Sequence, residues 1–205
     1  MMTSKTRIYL IRHGEVEGAE TPRYYGQADV PLSERGIGQY HQLKERLAAT
    51  RISACYTSDL SRCAAGAEII CSRIGLTPLR ERNLRELDIG VWEGKSSAEL
   101  LEEYPREWRA RLADMANYRA PEGECLADLS SRVMPVIKGI ANRHAGEEVL
   151  VVAHGGTNRV ILLNAVGAPL SSLFSIEQDY CCVNIIDYYT DGASVVKLLN
   201  GQKDY

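Results

Sequence analysis

Two apolar runs in this chain end in the same way. Arg7 to Ile11 (RIYLI) leads into Arg12-His13-Gly14-Glu15, and Glu148 to Ala153 (EVLVVA) leads into His154-Gly155-Gly156. Both runs are short and rich in β-branched residues, the pattern of strands buried on both faces. The two histidines stand 141 positions apart. If both strands are central and parallel, His13 and His154 meet at one end of a single sheet, where open α/β folds bind their ligands.

The segments between them supply the helices such a sheet needs. Ser33-Glu34-Arg35-Gly36 opens a helical stretch to about Thr50, with Ser33 placed to cap it. Ile52 to Tyr56 reads as a strand. A helix follows from about Leu60 to Ile74, with Asp59 as its expected cap and Gly75 as its stop. Thr77 to Arg80 reads as a short strand, and Asn83 to Gly94 as a surface loop anchored by Trp92. From Ser96 to Ala120 the sequence turns charged and aromatic, which predicts short helices broken at Pro105 and stopped before Pro121. Ala127 to His144 and Thr157 to Val166 read as helices. Val183 to Tyr188 and Ser194 to Leu199 read as strands joined at Asp191-Gly192. The alternation predicts a three-layer αβα sandwich with a mostly parallel sheet, helices on both faces and a small helical cap. We expect one domain over 1–205 with the cap inserted at about 96–125.

Composition narrows the function. With 205 residues, 45% of them hydrophobic and 25% charged, the chain has material for a sizeable core. A net charge of -3 gives no basic field for nucleic acid. No apolar run is long enough to span a bilayer and Met1 to Arg7 is no signal peptide, so we expect a cytoplasmic protein with neither a nucleic-acid nor a membrane partner. The six cysteines form no CxxC pair and no zinc spacing, which predicts free thiols. Cys63, Ala67 and Cys71 have the spacing of a buried helix stripe.

The motifs, taken in order, resemble the histidine phosphatase superfamily, also called phosphoglycerate mutase-like. They are LIRHGE at 10–15, PLSERG at 31–36, TSDLSRC at 57–63, ELDIGVWEG at 86–94, PEGEC at 121–125 and VAHGG at 152–156. The resemblance implies that His13 attacks a phosphoryl group while Arg12, Arg62 and His154 surround its oxygens. It implies Glu86 as the acid that protonates the leaving oxygen. Gly155, Gln27 and Tyr25 complete the candidate substrate-binding set, and no cofactor or metal is expected. The YGQADVPLSERG stretch looks like the α-ribazole phosphatase branch, which makes α-ribazole phosphate the candidate among small phosphomonoesters. A homodimer is one assembly the sequence admits.

The chemistry suits the residue types. A neutral imidazole is nucleophilic without prior deprotonation, and a covalent intermediate divides one hard displacement into two easier ones. Charge spread over phosphoryl oxygens is met by fixed cations, here two guanidiniums and, we expect, a protonated His154. The sequence departs from the family where a Thr or Ser and then an Asn usually help to bind phosphate: Val16 and Ala19 stand there. Tyr24, Tyr25 and Gln27 are the candidates to replace them. Tyr24, Tyr25, Trp108 and Tyr118 are expected either to wall the substrate or to pack the cap.

Other classes fail on spacing. Gly90 to Ser96 lacks the first glycine of a P-loop, since Ile89 stands there. Cys55 and Cys125 have serines, not arginine, six positions on, which excludes the cysteine phosphatases. Two rivals remain: a phosphoglycerate mutase, and a member that binds phosphorylated ligands without turning them over.

Overall fold

The computed structural model describes residues 4–202. Its sheet has six strands in the order β3-β2-β4-β1-β5-β6. They are β1 (Lys5–Arg12), β2 (Ile52–Thr57), β3 (Leu79–Arg80), β4 (Glu148–Ala153), β5 (Val183–Tyr189) and β6 (Ser194–Gly201). β4 pairs in parallel with both β1 and β2, and β2 in parallel with β3. β5 runs antiparallel between β1 and β6, so it alone is reversed. The mostly parallel α/β class predicted from the sequence is the one observed.

The alternation of side chains along β1 and β4 divides the core in two. Ile8, Leu10, Val149 and Val151 face one layer, where α5 (Leu126–Arg143) and α6 (Gly155–Val166) add Leu129, Ile137, Val160 and Ile161. Ile11, Leu150 and Val152 face the other, packed by α1 (Glu34–Arg46) and α2 (Ser61–Ile74) through Tyr40, Leu43, Cys63, Ala67 and Cys71. All six cysteines are free and buried. Among the described residues no helix is long and apolar enough to cross a membrane.

Ser33 caps α1 as expected, accepting from the Gly36 N–H. The cap expected from Asp59 is not made. Leu60 holds that position without a side-chain bond, and Asp59 is drawn into a two-point ion pair with Arg85, both contacts at 2.7 Å. The Ser61 N–H at the start of α2 is met instead by Asp29, a residue brought in from the loop before α1.

Residues 82–94 contain two single 3-10 turns, Arg82–Leu84 and Gly90–Trp92, and Trp92 is buried as their anchor. Beyond it come α3 (Ser97–Glu103), started by a Ser96/Glu99 capping box, and α4 (Pro105–Ala113), with proline at its first position. α4 ends well short of the predicted stop before Pro121. Residues 114–120 instead fold back so that Tyr118 stacks on Trp92 at 5.8 Å. Trp92, Leu100 and Ala120, joined by Tyr24, Trp108 and Tyr118, form a separate small core. It carries α4 to the C-terminal end of the sheet, where Arg111 reaches a cleft that also touches Glu86 and Gly156.

Candidate active site

The sheet register sets the site. Arg12 of β1 lies opposite Ala153 of β4, so the residues that follow, His13 and His154, leave the sheet side by side. Their rings meet edge-on with centroids 5.2 Å apart, and the His13 N–H donates to the Ala153 carbonyl at 3.0 Å.

His13 is 7% exposed, and its Nδ1 lies 2.8 Å from the Gly14 carbonyl. A carbonyl oxygen only accepts, so Nδ1 holds the proton and Nε2 keeps a free lone pair. Burial first, then the charges of Arg12 and Arg62, hold its pKa well below the usual histidine value. The ring is therefore neutral near pH 7.

His154 is fully buried. Its Nδ1 accepts from Arg62 Nε at 3.3 Å, which leaves the proton on Nε2 to be donated to Ser58 Oγ at 2.9 Å. Burial, Arg62 and His13 hold its pKa well below 6.5 too. The protonated His154 expected from the sequence is thus corrected: a second cation beside two guanidiniums in a dry site is too costly. The arginines carry the positive charge.

Backbone carbonyls and one ring fix those arginines. Arg62, 1% exposed, donates to Ala28 at 2.7 Å and Gly26 at 2.8 Å. Arg12 donates to the Gln178 carbonyl and lies 4.1 Å from the centre of the Tyr180 ring. Its Nε is buried with no partner. Among the described residues neither guanidinium is paired with a carboxylate, so both charges are ready for an anion.

Glu86 reaches the same place from the 82–94 loop. Its carboxylate accepts from the N–H groups of Gly156 at 2.8 Å and Thr157 at 3.1 Å, in the first turn of α6. Gly156 permits this approach, since a Cβ there would stand 2.6 Å from Glu86 Oε1. Arg132 of α5 braces the loop by donating to the carbonyls of Asn83, Arg85 and Glu86, each at 2.8 Å, while it pairs with Glu124. Arg85, the preceding residue, forms no ion pair with Glu86 and holds Asp59 instead.

The structure therefore gathers Arg12, His13, Arg62, Glu86, His154 and Gly155. At Gly155 the Arg12 and Arg159 guanidiniums come within 3.4 and 3.3 Å of where a Cβ would stand. Tyr24 and Tyr25 line an adjoining cleft, whereas Trp108 and Tyr118 pack on Trp92. Gln27 lies behind Glu86, its side chain 3.4 Å from both the Glu86 carbonyl and Arg85 Nη1. Val16 is buried and bridges Leu32.

Sequence reasoning missed Ser58, Arg111, Arg159 and Tyr180. Arg159 had a usable signal, since it lies four residues after Gly155 on a helix and so on the same face. Tyr180 and Arg111 had none, because only the folded chain brings them to the site.

A fold of this topology, with paired neutral histidines at the strand ends and two guanidiniums free of carboxylates beside them, makes an α/β protein with a site suited to an anion. The model of the histidine phosphatase superfamily (branch 1) matches residues 8–201, and the chain belongs to that family. It is 32% identical over 183 residues to a probable phosphoglycerate mutase, GpmB, of Yersinia pestis, covering 89% of this chain and 85% of that one. Among solved structures it resembles YhfR of Bacillus stearothermophilus, with a TM-score of 0.87 and 31% identity over 97% of this chain and 98% of that one. It also resembles the α-ribazole phosphatase of Shigella flexneri, with a TM-score of 0.85 and 25% identity over 97% and 98% of the two chains.

Proposed function

We propose that the chain is a phosphomonoesterase that works through a phosphohistidine, without a metal. The observation that carries the reading is His13 itself, a neutral imidazole with its proton fixed on Nδ1 and its Nε2 lone pair free beside two guanidiniums. Nε2 attacks phosphorus, the bond from phosphorus to the ester oxygen breaks, and Glu86 gives that oxygen its proton. Water then attacks the phosphohistidine, loses a proton to Glu86, and the N–P bond breaks to release phosphate. Arg12 and Arg62 stabilise the charge on the transferring group in both steps, while neutral His154, its Nε2 donating to Ser58, accepts from Arg62 Nε and so orients that guanidinium.

The candidate substrate is α-ribazole phosphate, supported by the likeness to the Shigella enzyme. Phosphoglycerate mutase, in which the phosphoryl group returns to the substrate, is the alternative that the Yersinia relative supports. The free thiols support a reducing, cytoplasmic setting.

The test is phosphate release in the presence of a chelator, over α-ribazole phosphate, 3-phosphoglycerate and other small esters. His13→Ala should lower release by at least about 10³-fold, as loss of a covalent nucleophile does. Release unchanged in that variant sinks the enzyme reading. Conversion of 3-phosphoglycerate to its isomer without net phosphate release decides for the mutase.

A further inference from the structure

The cleft beside the histidines is uneven in charge. Arg111 from α4 and Arg159 from α6 both line it, and Glu86 is the one carboxylate among its lining residues. The Glu86 oxygens are already taken by the N–H groups of Leu87, Gly156 and Thr157. Glu86 and Glu177 favour the Arg159 charge through space, but among the described residues no carboxylate forms an ion pair with Arg111 or Arg159.

Arg159 gives its Nε to the Ile176 carbonyl at 2.7 Å, and its Nη1 lies 3.3 Å from where a Gly155 Cβ would stand, beside Arg12, so it serves the histidine end as well. Arg111 is held by ring faces. Its guanidinium carbon lies 5.3 Å from the centre of Trp108, 5.8 Å from Tyr24 and 6.0 Å from Phe174. Phe174 also lies 5.8 Å from Arg159, so one phenyl ring sits beside both cations. Among the described residues no carboxylate or carbonyl receives a hydrogen bond from Arg111. Burial disfavours its charge, and burial together with Arg12 disfavours that of Arg159. A guanidinium stays charged in any case, so the cost persists until an anion enters. Rings on its faces leave the N–H edge, the part that binds an oxyanion, pointing elsewhere.

We infer that this end of the cleft binds a second anionic group of the substrate, a carboxylate or a second phosphate, so that the ester acted on is negatively charged at both ends. The inference rests on the phosphomonoesterase reading of the same site. It ranks esters with a charged leaving group above those of an uncharged nucleoside such as α-ribazole. Tyr24, Tyr25 and Phe174 along the walls suit an apolar or flat body between the two charges.

The probes are phenyl phosphate, 4-carboxyphenyl phosphate and 1,4-phenylene bisphosphate, alongside 3-phosphoglycerate and glycerol 3-phosphate, a pair that differs in one carboxylate. Calorimetric binding to the His13→Ala protein reads the second site without turnover. In at least one pair the member with two anionic groups should bind tenfold or more tightly than its partner with one. The carboxylate and bisphosphate arms tell which oxyanion is preferred. Arg111→Gln in that background should cut the preference at least fivefold, and Arg111→Lys should keep part of it. A preference below twofold in every pair, or one that Arg111→Gln leaves unchanged, overturns the inference. If Arg111→Gln does not fold, the preference in the His13→Ala protein decides alone. Strong binding of the doubly charged esters with no phosphate release by the intact enzyme overturns the hydrolase and keeps the second anion site.

Discussion

At Gly156 a missing side chain makes room for a carboxylate. The Glu86 carboxylate rests against the first turn of α6 only because no Cβ stands between them. Gly156→Ala would push the carboxylate away from the histidines while barely touching the core. We expect kcat to fall roughly 10- to 100-fold, the scale of a displacement near 1 Å in a reacting group. Thermal stability should change little, and phosphate release beside a melting curve measures both. A kcat within twofold of the parent would separate Glu86 from the chemistry. The residues visible in the sequence were those whose type and place are both unusual. A histidine at the end of an apolar strand stands out, and His13 and His154 did. An arginine on a helix does not by itself, and Arg159 and Arg111 were not singled out. The protonation of His154 was also out of reach, because it depends on neighbours that only the fold supplies.

The elements that were legible are those with a period. β1, β4, α1 and α5 follow from alternation, apolar runs and caps, and their bounds fall within a few residues of the prediction. The 82–94 loop has no period, and its course depends on distant partners. Arg132, more than forty residues further on, holds three of its carbonyls. The same holds for Asp59, which had the right residue type for a helix cap but a stronger partner in Arg85. Arg132→Met should therefore act at a distance. It releases the loop that presents Glu86, so kcat should drop roughly tenfold through misplacement of the acid. It also leaves Glu124 unpaired, at a cost of about 2 kcal/mol, less than for a fully buried pair because both partners keep some solvent. Urea unfolding with parallel kinetics checks this, and a loss of stability with kcat unchanged would show that the brace is purely structural.

For the molecule as a whole, the buried histidine pair links folding to pH. Both folded-state pKa values lie well below 6.5, the unfolded value. Above about pH 6.5 both states hold neutral rings and the full stability is present. Below it the unfolded chain takes up protons that the folded chain refuses, so stability falls on acidification. The slope is up to about 2.7 kcal/mol per pH unit for two such groups, until the folded values are reached. Urea midpoints at pH 7.5, 6.5 and 5.5 should be level at first and then decline. A flat series to pH 5 would mean that the rings are protonated in the native protein.

The strand order also has a history in time. β1 is made first, yet both its neighbours, β4 and β5, lie more than 130 residues further along the chain. At ribosomal speeds of about 5–20 residues per second, this apolar segment waits roughly 7–30 s for a partner to be made. During synthesis it is an open strand with both edges bare, the kind of surface that other chains or a chaperone can claim. His13 is thus made long before the strand and helix that complete its surroundings.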